Sequence, residues 1–283
     1  MKDYEELLTQ FIANALAEDL GSGDHTSLST IPVGKKGAAK LIIKDIGVLA
    51  GVDVALAIFK QVDADLRVNV LLNDGANVKY GDIALTVEGN VSSILIAERL
   101  VLNTMQRMSG IASTTARIVS KLKDTNTRVL DTRKTTPNLR FLEKQAVVIG
   151  GGVNHRIGLY DMILIKDNHV DYAGGIQNAL LAAKAYLVSK KLALKIEIEV
   201  RTISELQEVI EAGGADRILL DNFNFANLKS AVDLINGRYV TEASGGISEE
   251  NVLEYAQCGV DFISMGALTH SVKSLDMSLK AEN

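Results

Sequence analysis

The sequence predicts a two-part α/β protein whose second part is a parallel barrel. Between residues 128 and 265, six short apolar segments alternate with helical segments, which is the pattern of parallel strands joined by right-handed crossovers. Before residue 108 the order differs, because strands precede a long helix, and this is typical of an α+β domain. The length of 283 residues fits two domains of ordinary size, or one barrel with an extension.

The first part contains two predicted helices and three predicted strands. Apolar residues at helical spacing predict a helix over 4–20, which ends at Gly21. A second helical pattern covers 92–123, with Gly110 as the expected break. Apolar and alternating segments predict the strands at residues 39–49, 66–72 and 83–87.

The second part repeats one unit, a short strand followed by a helix. The predicted strands lie at residues 128–131, 162–165, 196–200, 218–220, 239–243 and 262–265. The predicted helices lie between them at residues 139–148, 176–189, 203–212, 226–235 and 249–257. This number of units fits either a doubly wound open sheet or a small barrel. Polar residues follow all six strands, and only in a barrel do six strand ends converge on one mouth, so the barrel is favoured.

The composition restricts the classes of function. Hydrophobic residues make up 47% of the chain, enough for a sizeable core. The net charge of -5 argues against a general nucleic-acid or membrane binder, and the N-terminal segment has neither the basic start nor the apolar run of a signal peptide. The single cysteine, Cys258, excludes an intrachain disulfide and is interpreted as a small buried hydrophobic residue. We therefore expect a cytoplasmic protein without nucleic-acid or membrane partners.

Five cationic or potentially cationic residues form the first candidate cluster. Arg133 and Lys134 follow the first barrel strand, His155 and Arg156 lie in GGGVNHR, and Lys166 follows the second strand. At one barrel mouth such groups cannot neutralise each other, so the cluster predicts a site for a polyanionic ligand that carries phosphate groups or several carboxylates. The alternative interpretation is a solvated basic face.

Two carboxylates form the second candidate cluster. Glu199 and Asp221 end neighbouring predicted strands, and Glu197 has the same parity along its strand as Glu199. Hard oxygen ligands on adjacent strands suit Mg²⁺, which commonly bridges substrate phosphates. The alternative interpretation is a salt bridge to the nearby lysines.

Glycine-rich turns form the third candidate site. Ser244, Gly245 and Gly246 precede a predicted helix, and Gly266 follows the last strand with His270 close behind. Exposed backbone N–H groups in such turns favour phosphate, and the last two strands of a barrel commonly provide this site. Asp24 and His25 near the N-terminus are interpreted as a turn or helix cap rather than as metal ligands.

Several motifs occur in the order found in one known family. They are EDLGSGDHTS, AERLVLNTMQRMSGIAS, DTRKT, GGGVNHR, LIKDNH, EIEV, LLDNF, EASGG and MGALTHS. Together they resemble quinolinate phosphoribosyltransferase, a type II phosphoribosyltransferase, and the resemblance covers nearly the whole chain. Each motif alone is modest, but the ordered set is specific.

The resemblance implies a particular architecture and assembly. An N-terminal α+β sandwich-like domain, 1–108, would precede an incomplete barrel of six or seven strands, 109–270. The tail, 271–283, would return to the first domain. The family forms homodimers or assemblies of dimers, with each site between one barrel and the neighbour's N-terminal domain, so Arg99 would reach the site from the partner chain.

The resemblance also implies roles for the site residues. Quinolinate would be held by Arg133, His155, Arg156 and Lys166, with Thr132 beside them. Lys134 and Lys166 would meet the phosphates of phosphoribosyl pyrophosphate, while Glu199 and Asp221 would hold Mg²⁺ and the ribose hydroxyls. The 5′-phosphate region would be bound by Ser244, Gly245, Gly246, Gly266 and His270. Of these residues, Lys134, Lys166, Glu199 and Asp221 would be catalytic.

The implied reaction transfers the phosphoribosyl group to quinolinate and releases carbon dioxide, giving nicotinate mononucleotide and pyrophosphate in de novo NAD synthesis. The ring nitrogen of quinolinate is the nucleophile, so the protein needs none, and the sequence offers no serine–histidine–aspartate arrangement. No organic cofactor is implied. Two alternatives stay open. The first is a relative with the same site, either one that acts on another aromatic acid such as nicotinate or one encoded at a molybdenum locus. The second is a non-catalytic anion-binding protein on a barrel scaffold.

Overall fold

The computed structural model describes residues 4–282, which fall into two compact units. Among the described residues, the first unit comprises 4–116, 136–151 and 271–282, and the second comprises 117–135 and 152–270. This grouping differs from the division expected at residue 108, because residues 109–116 and 136–151 belong to the first unit. The expected boundaries of independently folding domains stay a prediction.

Eleven helices occur in the described part of the chain. They are α1 (Tyr4–Leu20), α2 (His25–Thr30), α3 (Val52–Val62), α4 (Val91–Lys121), α5 (Arg140–Ile149), α6 (Asp167–Ala173), α7 (Ile176–Lys190), α8 (Ile203–Ala212), α9 (Phe225–Ile235), α10 (Val252–Gln257) and α11 (Ala267–His270). None of the helices between residues 4 and 282 combines the length and the apolar character needed to cross a membrane.

Twelve strands occur in the same residues. They are β1 (Lys36–Ile43), β2 (Gly47–Val48), β3 (Arg67–Val70), β4 (Asn77–Val78), β5 (Ile83–Asn90), β6 (Arg128–Leu130), β7 (Ile163–Ile165), β8 (Ile196–Val200), β9 (Arg217–Asp221), β10 (Val240–Ser244), β11 (Phe262–Ser264) and β12 (Met277–Glu282).

The first unit is built on a four-stranded antiparallel sheet in the order β12-β1-β5-β3. Leu41 of β1 lies opposite Leu85 of β5 and Leu279 of β12, and all three side chains are buried. Because alternate residues of a strand face the same side, these positions define the core face of the sheet. The α+β character predicted for the first part is confirmed.

Helix α4 runs without interruption from Val91 to Lys121, so the expected break at Gly110 is wrong. Glycine is required there for space: a Cβ atom on Gly110 would lie 2.4 Å from the carbonyl oxygen of Lys273 and 3.1 Å from Cα of Ser274. The residue therefore allows the C-terminal segment to lie directly against the helix backbone.

The second unit contains six parallel strands in the order β6-β11-β10-β9-β8-β7. Read from β7, the strands follow the chain to β11, and β6, the first of the six in sequence, then lies beside β11. This is the cyclic order of a barrel, whereas a doubly wound sheet reverses its order near the middle. Since β6 and β7 are the two edge strands, the barrel is incomplete, which confirms the predicted fold class.

Six of the elements were not predicted. Three of them, α2, α6 and α11, are too short to show an apolar period. Helix α2 is stabilised locally by its N-cap residue Asp24, whose side chain accepts hydrogen bonds from the backbone N–H groups of Thr26 and Ser27. The cap role expected for Asp24 is thus observed. The other three are α3, β4 and β12, and β12 depends on pairing with the distant β1.

Candidate functional site

A cavity of about 340 Å³ opens at the carboxyl ends of the strands of the second unit. Its lining includes nine residues predicted for the site: Thr132, Arg133, Lys134, His155, Arg156, Lys166, Asp221, Ser244 and Gly266. Four residues that were not predicted for the site complete it: Leu164, Leu219, Glu242 and Ser264. The cavity thus brings together residues from six separate segments, five of them at the ends of parallel strands, as the barrel geometry requires.

Five cationic or potentially cationic side chains line this one cavity: Arg133, Lys134, His155, Arg156 and Lys166. Burial lowers the pKa of Arg156, and the positive charge of Arg133 lowers it further. Positive groups placed close enough to disfavour each other's charge provide a binding site for an anion with several oxygens.

Hydrogen bonds fix the backbone that carries these cations. The backbone N–H of Lys134 donates to Oγ1 of Thr132 at 3.0 Å, and Oγ1 of Thr269 donates to the Lys134 carbonyl at 2.7 Å. On the neighbouring segment, the backbone N–H of His155 donates to Oδ1 of Asp131 at 2.9 Å. The turn after Gly150–Gly152 therefore presents His155 and Arg156 to the cavity as predicted.

A buried ion network lies under His155. Its Nε2 atom is 3.0 Å from Oε2 of Glu197 and 3.3 Å from Oε2 of Glu242. Nη1 of Arg217 lies 2.9 Å from the same oxygen of Glu242. Burial and the charge of Glu242 raise the pKa of Glu197 to about 6. Burial also acts to raise the pKa of Glu242, but contacts with His155, Ser264 and Arg217 lower it.

Two influences oppose each other at His155. Burial lowers the pKa of the imidazole, whereas Glu197 and Glu242 raise it and prevail. However, the backbone N–H of Arg156 lies 2.7 Å from Nδ1, and an imidazolium has no lone pair to accept it. Because this contact needs a lone pair on Nδ1, we assign the ring as the neutral tautomer with its proton on Nε2, although the two carboxylates favour the charged form.

The two predicted metal ligands lie on adjacent strands, β8 and β9. Oε2 of Glu199 is 3.1 Å from Nζ of Lys166, so the salt bridge considered as the alternative is present in the structure. Asp221 accepts hydrogen bonds from Oγ of Ser244 and from Nδ2 of Asn222. Asp221 lines the cavity, and Glu199 adjoins it through Lys166.

One three-residue group with metal-ligand geometry occurs among residues 4–282. His155, Glu197 and Glu242 offer ligand atoms that all lie within 4.8 Å of one another. Glu199 and Asp221 do not form such a group with a third residue in that part of the chain. An ion held by these two carboxylates would take its other ligands from substrate oxygens and water, as Mg²⁺ commonly does.

The predicted glycine turns are spatially constrained. A Cβ atom on Gly245 would lie 2.1 Å from Oδ1 of Asn222, and Gly245 has a φ of +92°. A Cβ atom on Gly266 would lie 2.9 Å from Cδ of Lys134 and 3.0 Å from Cδ2 of His270. Gly266 therefore allows two predicted phosphate-binding side chains to approach each other closely.

Arg99 is exposed on α4, in the first unit, and does not line the cavity. The most informative residues that sequence reasoning missed are Glu242 and Arg217, which belong to the buried network. A signal existed for Glu242, because a charged residue in the middle of a strand that is buried in a parallel sheet requires a buried partner. The parity of Glu197 was noted, but its partner His155 lies 42 positions earlier, and local patterns do not show such pairings.

Two family models together match residues 24–109 and 111–280 of this chain. The family described as "Quinolinate phosphoribosyl transferase, C-terminal domain" matches residues 111–280, and the corresponding N-terminal domain matches residues 24–109. A Nicotiana tabacum protein named quinolinate phosphoribosyltransferase (decarboxylating) 2a, mitochondrial, is 47% identical over 95% of this chain and 80% of its own length.

Two further proteins match almost end to end. A Methanocaldococcus jannaschii protein named probable nicotinate-nucleotide pyrophosphorylase (carboxylating) is 43% identical, covering 99% of this chain and 98% of its own. The solved structure of the nicotinate-nucleotide pyrophosphorylase from Francisella tularensis superposes with a TM-score of 0.93 at 37% identity, covering 99% of this chain and 98% of that one. With both of its domains matched, this chain belongs to the quinolinate phosphoribosyltransferase family.

Proposed function

We propose that this chain transfers the phosphoribosyl group of phosphoribosyl pyrophosphate to quinolinate and releases carbon dioxide, giving nicotinate mononucleotide and pyrophosphate for de novo NAD synthesis. It is accordingly a pentosyltransferase. The observation that carries the proposal is the single cavity in which five cationic or potentially cationic side chains adjoin Asp221 and the Glu199–Lys166 pair. Such a site matches one substrate with two adjacent carboxylates and another with several phosphates.

The arginines account for the acceptor substrate. Quinolinate carries carboxylates on adjacent ring carbons, and the planar guanidinium groups of Arg133 and Arg156 suit bidentate contacts with them. His155, Thr132 and Lys166 line the same cavity and complete this end of the site. A substrate with one carboxylate, such as nicotinate, would leave part of this cationic surface without a partner.

The lysines and glycine turns account for the donor substrate. Lys134 and Lys166 would meet the phosphates of phosphoribosyl pyrophosphate, Lys134 from its place against Gly266 and His270. The segment Ser244–Gly246 would bind the 5′-phosphate through backbone N–H groups. Asp221, which accepts a hydrogen bond from Ser244, would hold the ribose hydroxyls.

The reaction needs no protein nucleophile, because the ring nitrogen of quinolinate attacks the anomeric carbon and pyrophosphate leaves. Carboxylates at Glu199 and Asp221 stabilise positive charge that develops on the sugar, and the lysines stabilise negative charge on the leaving group. The alkylated ring is cationic, which favours loss of the carboxylate next to nitrogen. The ring carbon then takes up a proton in place of carbon dioxide.

The donor set of Glu199 and Asp221 fits Mg²⁺, since both residues offer carboxylate oxygens from adjacent strands. When bound, the ion would neutralise phosphate charge and so assist departure of pyrophosphate. The pair between Glu199 and Lys166 would then be exchanged for contacts with the ion and with phosphate. No organic cofactor is proposed.

We further propose that the active form is a homodimer, or an assembly of dimers, in the cytoplasm, acting without a nucleic-acid or membrane partner. The site of each barrel would receive Arg99 from the neighbouring chain. Arg99 is exposed, and the barrel is open between its edge strands β6 and β7, so a neighbour can contribute a residue.

The decisive experiment follows release of labelled carbon dioxide from quinolinate labelled in the carboxylate next to nitrogen. Release should require both phosphoribosyl pyrophosphate and Mg²⁺, and it should stop with excess chelator. Turnover of nicotinate in preference to quinolinate would instead indicate a relative with another acceptor. Tight binding of both ligands by calorimetry, without release from well-folded protein, would indicate a non-catalytic anion-binding protein.

A further inference from the structure

His155 lines the cavity, yet both of its ring nitrogens face protein atoms. Nε2 lies between the carboxylates of Glu197 and Glu242, at 3.0 and 3.3 Å, and Nδ1 accepts the backbone N–H of Arg156 at 2.7 Å. The side chain is only 7% exposed. The imidazole therefore links the buried carboxylates on one side to the backbone of a cavity arginine on the other.

The two carboxylates are held by four neighbouring strands. Glu197 lies in β8 and Glu242 in β10, and their side chains are 0% and 1% exposed. Arg217, from β9 between them, donates to Glu242 at 2.9 Å, and its guanidinium lies 4.7 Å from the ring centroid of Phe262 in β11. Because these side chains project from adjacent parallel strands, the backbone of the sheet sets where the two carboxylates stand around the imidazole.

We propose that Glu197 and Glu242 are positioning residues that act on the aromatic diacid through His155 and Arg156. They fix the imidazole, the imidazole fixes the backbone of Arg156, and the guanidinium of Arg156 is thereby aimed into the cavity. The proposal rests on the function proposed above and adds a selective effect. Disturbing these glutamates impairs binding of quinolinate while leaving phosphoribosyl pyrophosphate, bound at other residues, unaffected.

Electrostatics alone predicts the opposite result, which makes the proposal testable. Glu197 and Glu242 are negative charges beneath a site for a dianion, so replacing either with glutamine removes a repulsion and should favour the dianion. If the glutamates act by positioning, the same replacement should weaken quinolinate binding. The sign of the change in KM for quinolinate therefore separates the two effects.

The alternative interpretation is that His155, Glu197 and Glu242 together bind a metal ion. A divalent ion would have to replace the Nε2 proton of His155 and compete with the guanidinium of Arg217 for Glu242. The structure already supplies a positive group there, and so we favour a network without metal. Metal analysis of the wild type and of Glu197→Gln, before and after dialysis against chelator, decides this point, because an ion held by Glu199 and Asp221 would remain in the variant.

The kinetic experiment compares Glu197→Gln and Glu242→Gln with the matched control Glu249→Gln. Glu249 also pairs with an arginine, Arg117, in the same unit, but it lies outside the cavity. Both network variants should raise the KM for quinolinate by roughly 10-fold, by analogy with the loss of outer partners of metal-bound histidines. The KM for phosphoribosyl pyrophosphate should change less than about twofold, and the control should match wild type. Unchanged or lowered KM for quinolinate, or equal losses for both substrates, overturns the proposal.

A spectroscopic readout tests the same geometry without turnover. In ¹⁵N-histidine-labelled protein, the His155 signals, assigned by their loss in His155→Gln, should show a proton on Nε2 and none on Nδ1. Both signals should shift in Glu242→Gln and stay in place in Glu249→Gln. A proton on Nδ1, or one equivalent of bound metal that is lost in Glu197→Gln, contradicts the proposal. Absence of turnover in wild type would refute the proposed reaction, while calorimetry with quinolinate and this readout would still decide the network.

Discussion

Nζ of Lys166 lies 3.1 Å from Oε2 of Glu199, so a proposed phosphate ligand and a proposed metal ligand form an ion pair with each other. The Lys166 side chain is 49% exposed, whereas that of Glu199 is 8% exposed. The lysine can therefore move toward a phosphate more easily than the glutamate can move toward solvent. A divalent ion near Glu199 would release Lys166 for the proposed donor substrate, which would link ion binding to the placement of this lysine.

Replacing Lys166 or Lys134 with alanine should reduce turnover strongly while leaving the fold intact. Both side chains are exposed at the cavity, so truncation opens no core void. Loss of one positioned charged donor at a developing anion should cost about 2.7–4 kcal/mol, or roughly 10²–10³ in kcat. Steady-state kinetics and circular dichroism measure the two effects.

The control for the lysines is Lys229→Ala. Lys229 pairs with Asp233 one helical turn away on α9, outside the cavity, and its loss should leave kcat unchanged. If Lys166→Ala and Lys134→Ala both retain wild-type kinetics, the cationic cluster has no part in the chemistry.

Asp221→Asn should weaken the dependence on Mg²⁺ and the binding of phosphoribosyl pyrophosphate more than the binding of quinolinate. The amide keeps the shape of the side chain but removes the charge that a hard cation requires. Calorimetric titration of each ligand, with and without Mg²⁺, measures the difference, and Asp233→Asn on the exposed face of α9 serves as the control. Equal losses for both substrates would show instead that Asp221 supports the local structure.

Gly245→Ala should impair both stability and donor binding, because the new methyl group would lie 2.1 Å from Oδ1 of Asn222. A matched control is Gly237→Ala, where φ is also positive but no atom lies within 4 Å of the added Cβ. The control should be destabilised only by the strain of an alanine in the left-handed conformation, which lowers the free energy of unfolding by about 1–2 kcal/mol. Denaturant midpoints and donor titrations of the two variants separate strain from collision. Similar midpoints would mean that Asn222 moves aside without cost.

Local patterns were sufficient to predict most of the barrel. Strand β8 was predicted with its observed bounds, because the segment from Ile196 to Val200 is rich in β-branched residues. Helix α8 was also predicted with its observed bounds, from the spacing of its apolar residues. Where the pattern failed, distant contacts determine the structure. Strand β12 forms on β1, and residue 110 must be glycine because the carbonyl of Lys273 occupies the space that a side chain would need.

The candidate site shows the same limit. Residues at strand ends, such as Arg133 and Asp221, were predicted because barrel topology gathers those ends at one mouth. The buried network was not predicted, because Glu242 and Arg217 come into contact only when their two strands pair in parallel. The pair between Lys166 and Glu199 was anticipated only as an alternative to metal binding.

The last prediction concerns Arg99 and the proposed assembly. Arg99 is exposed on α4, and an exposed arginine on a helix ordinarily contributes well under 1 kcal/mol through pairing with a neighbour. If instead it reaches the site of a partner chain, Arg99→Ala and Arg133→Ala should each be nearly inactive. Mixed and allowed to exchange subunits, the two variants should regain activity, because one site of each heterodimer then has both arginines. Random pairing in equal amounts makes about half of the dimers mixed, so roughly a quarter of wild-type activity should return.

As a control, Arg99→Ala mixed with the Arg99→Ala/Arg133→Ala double variant should stay inactive, since neither chain carries Arg99. Failure of the first mixture to recover, with exchange demonstrated by mass spectrometry of tagged chains, would show that Arg99 acts within its own chain or has no role in the site.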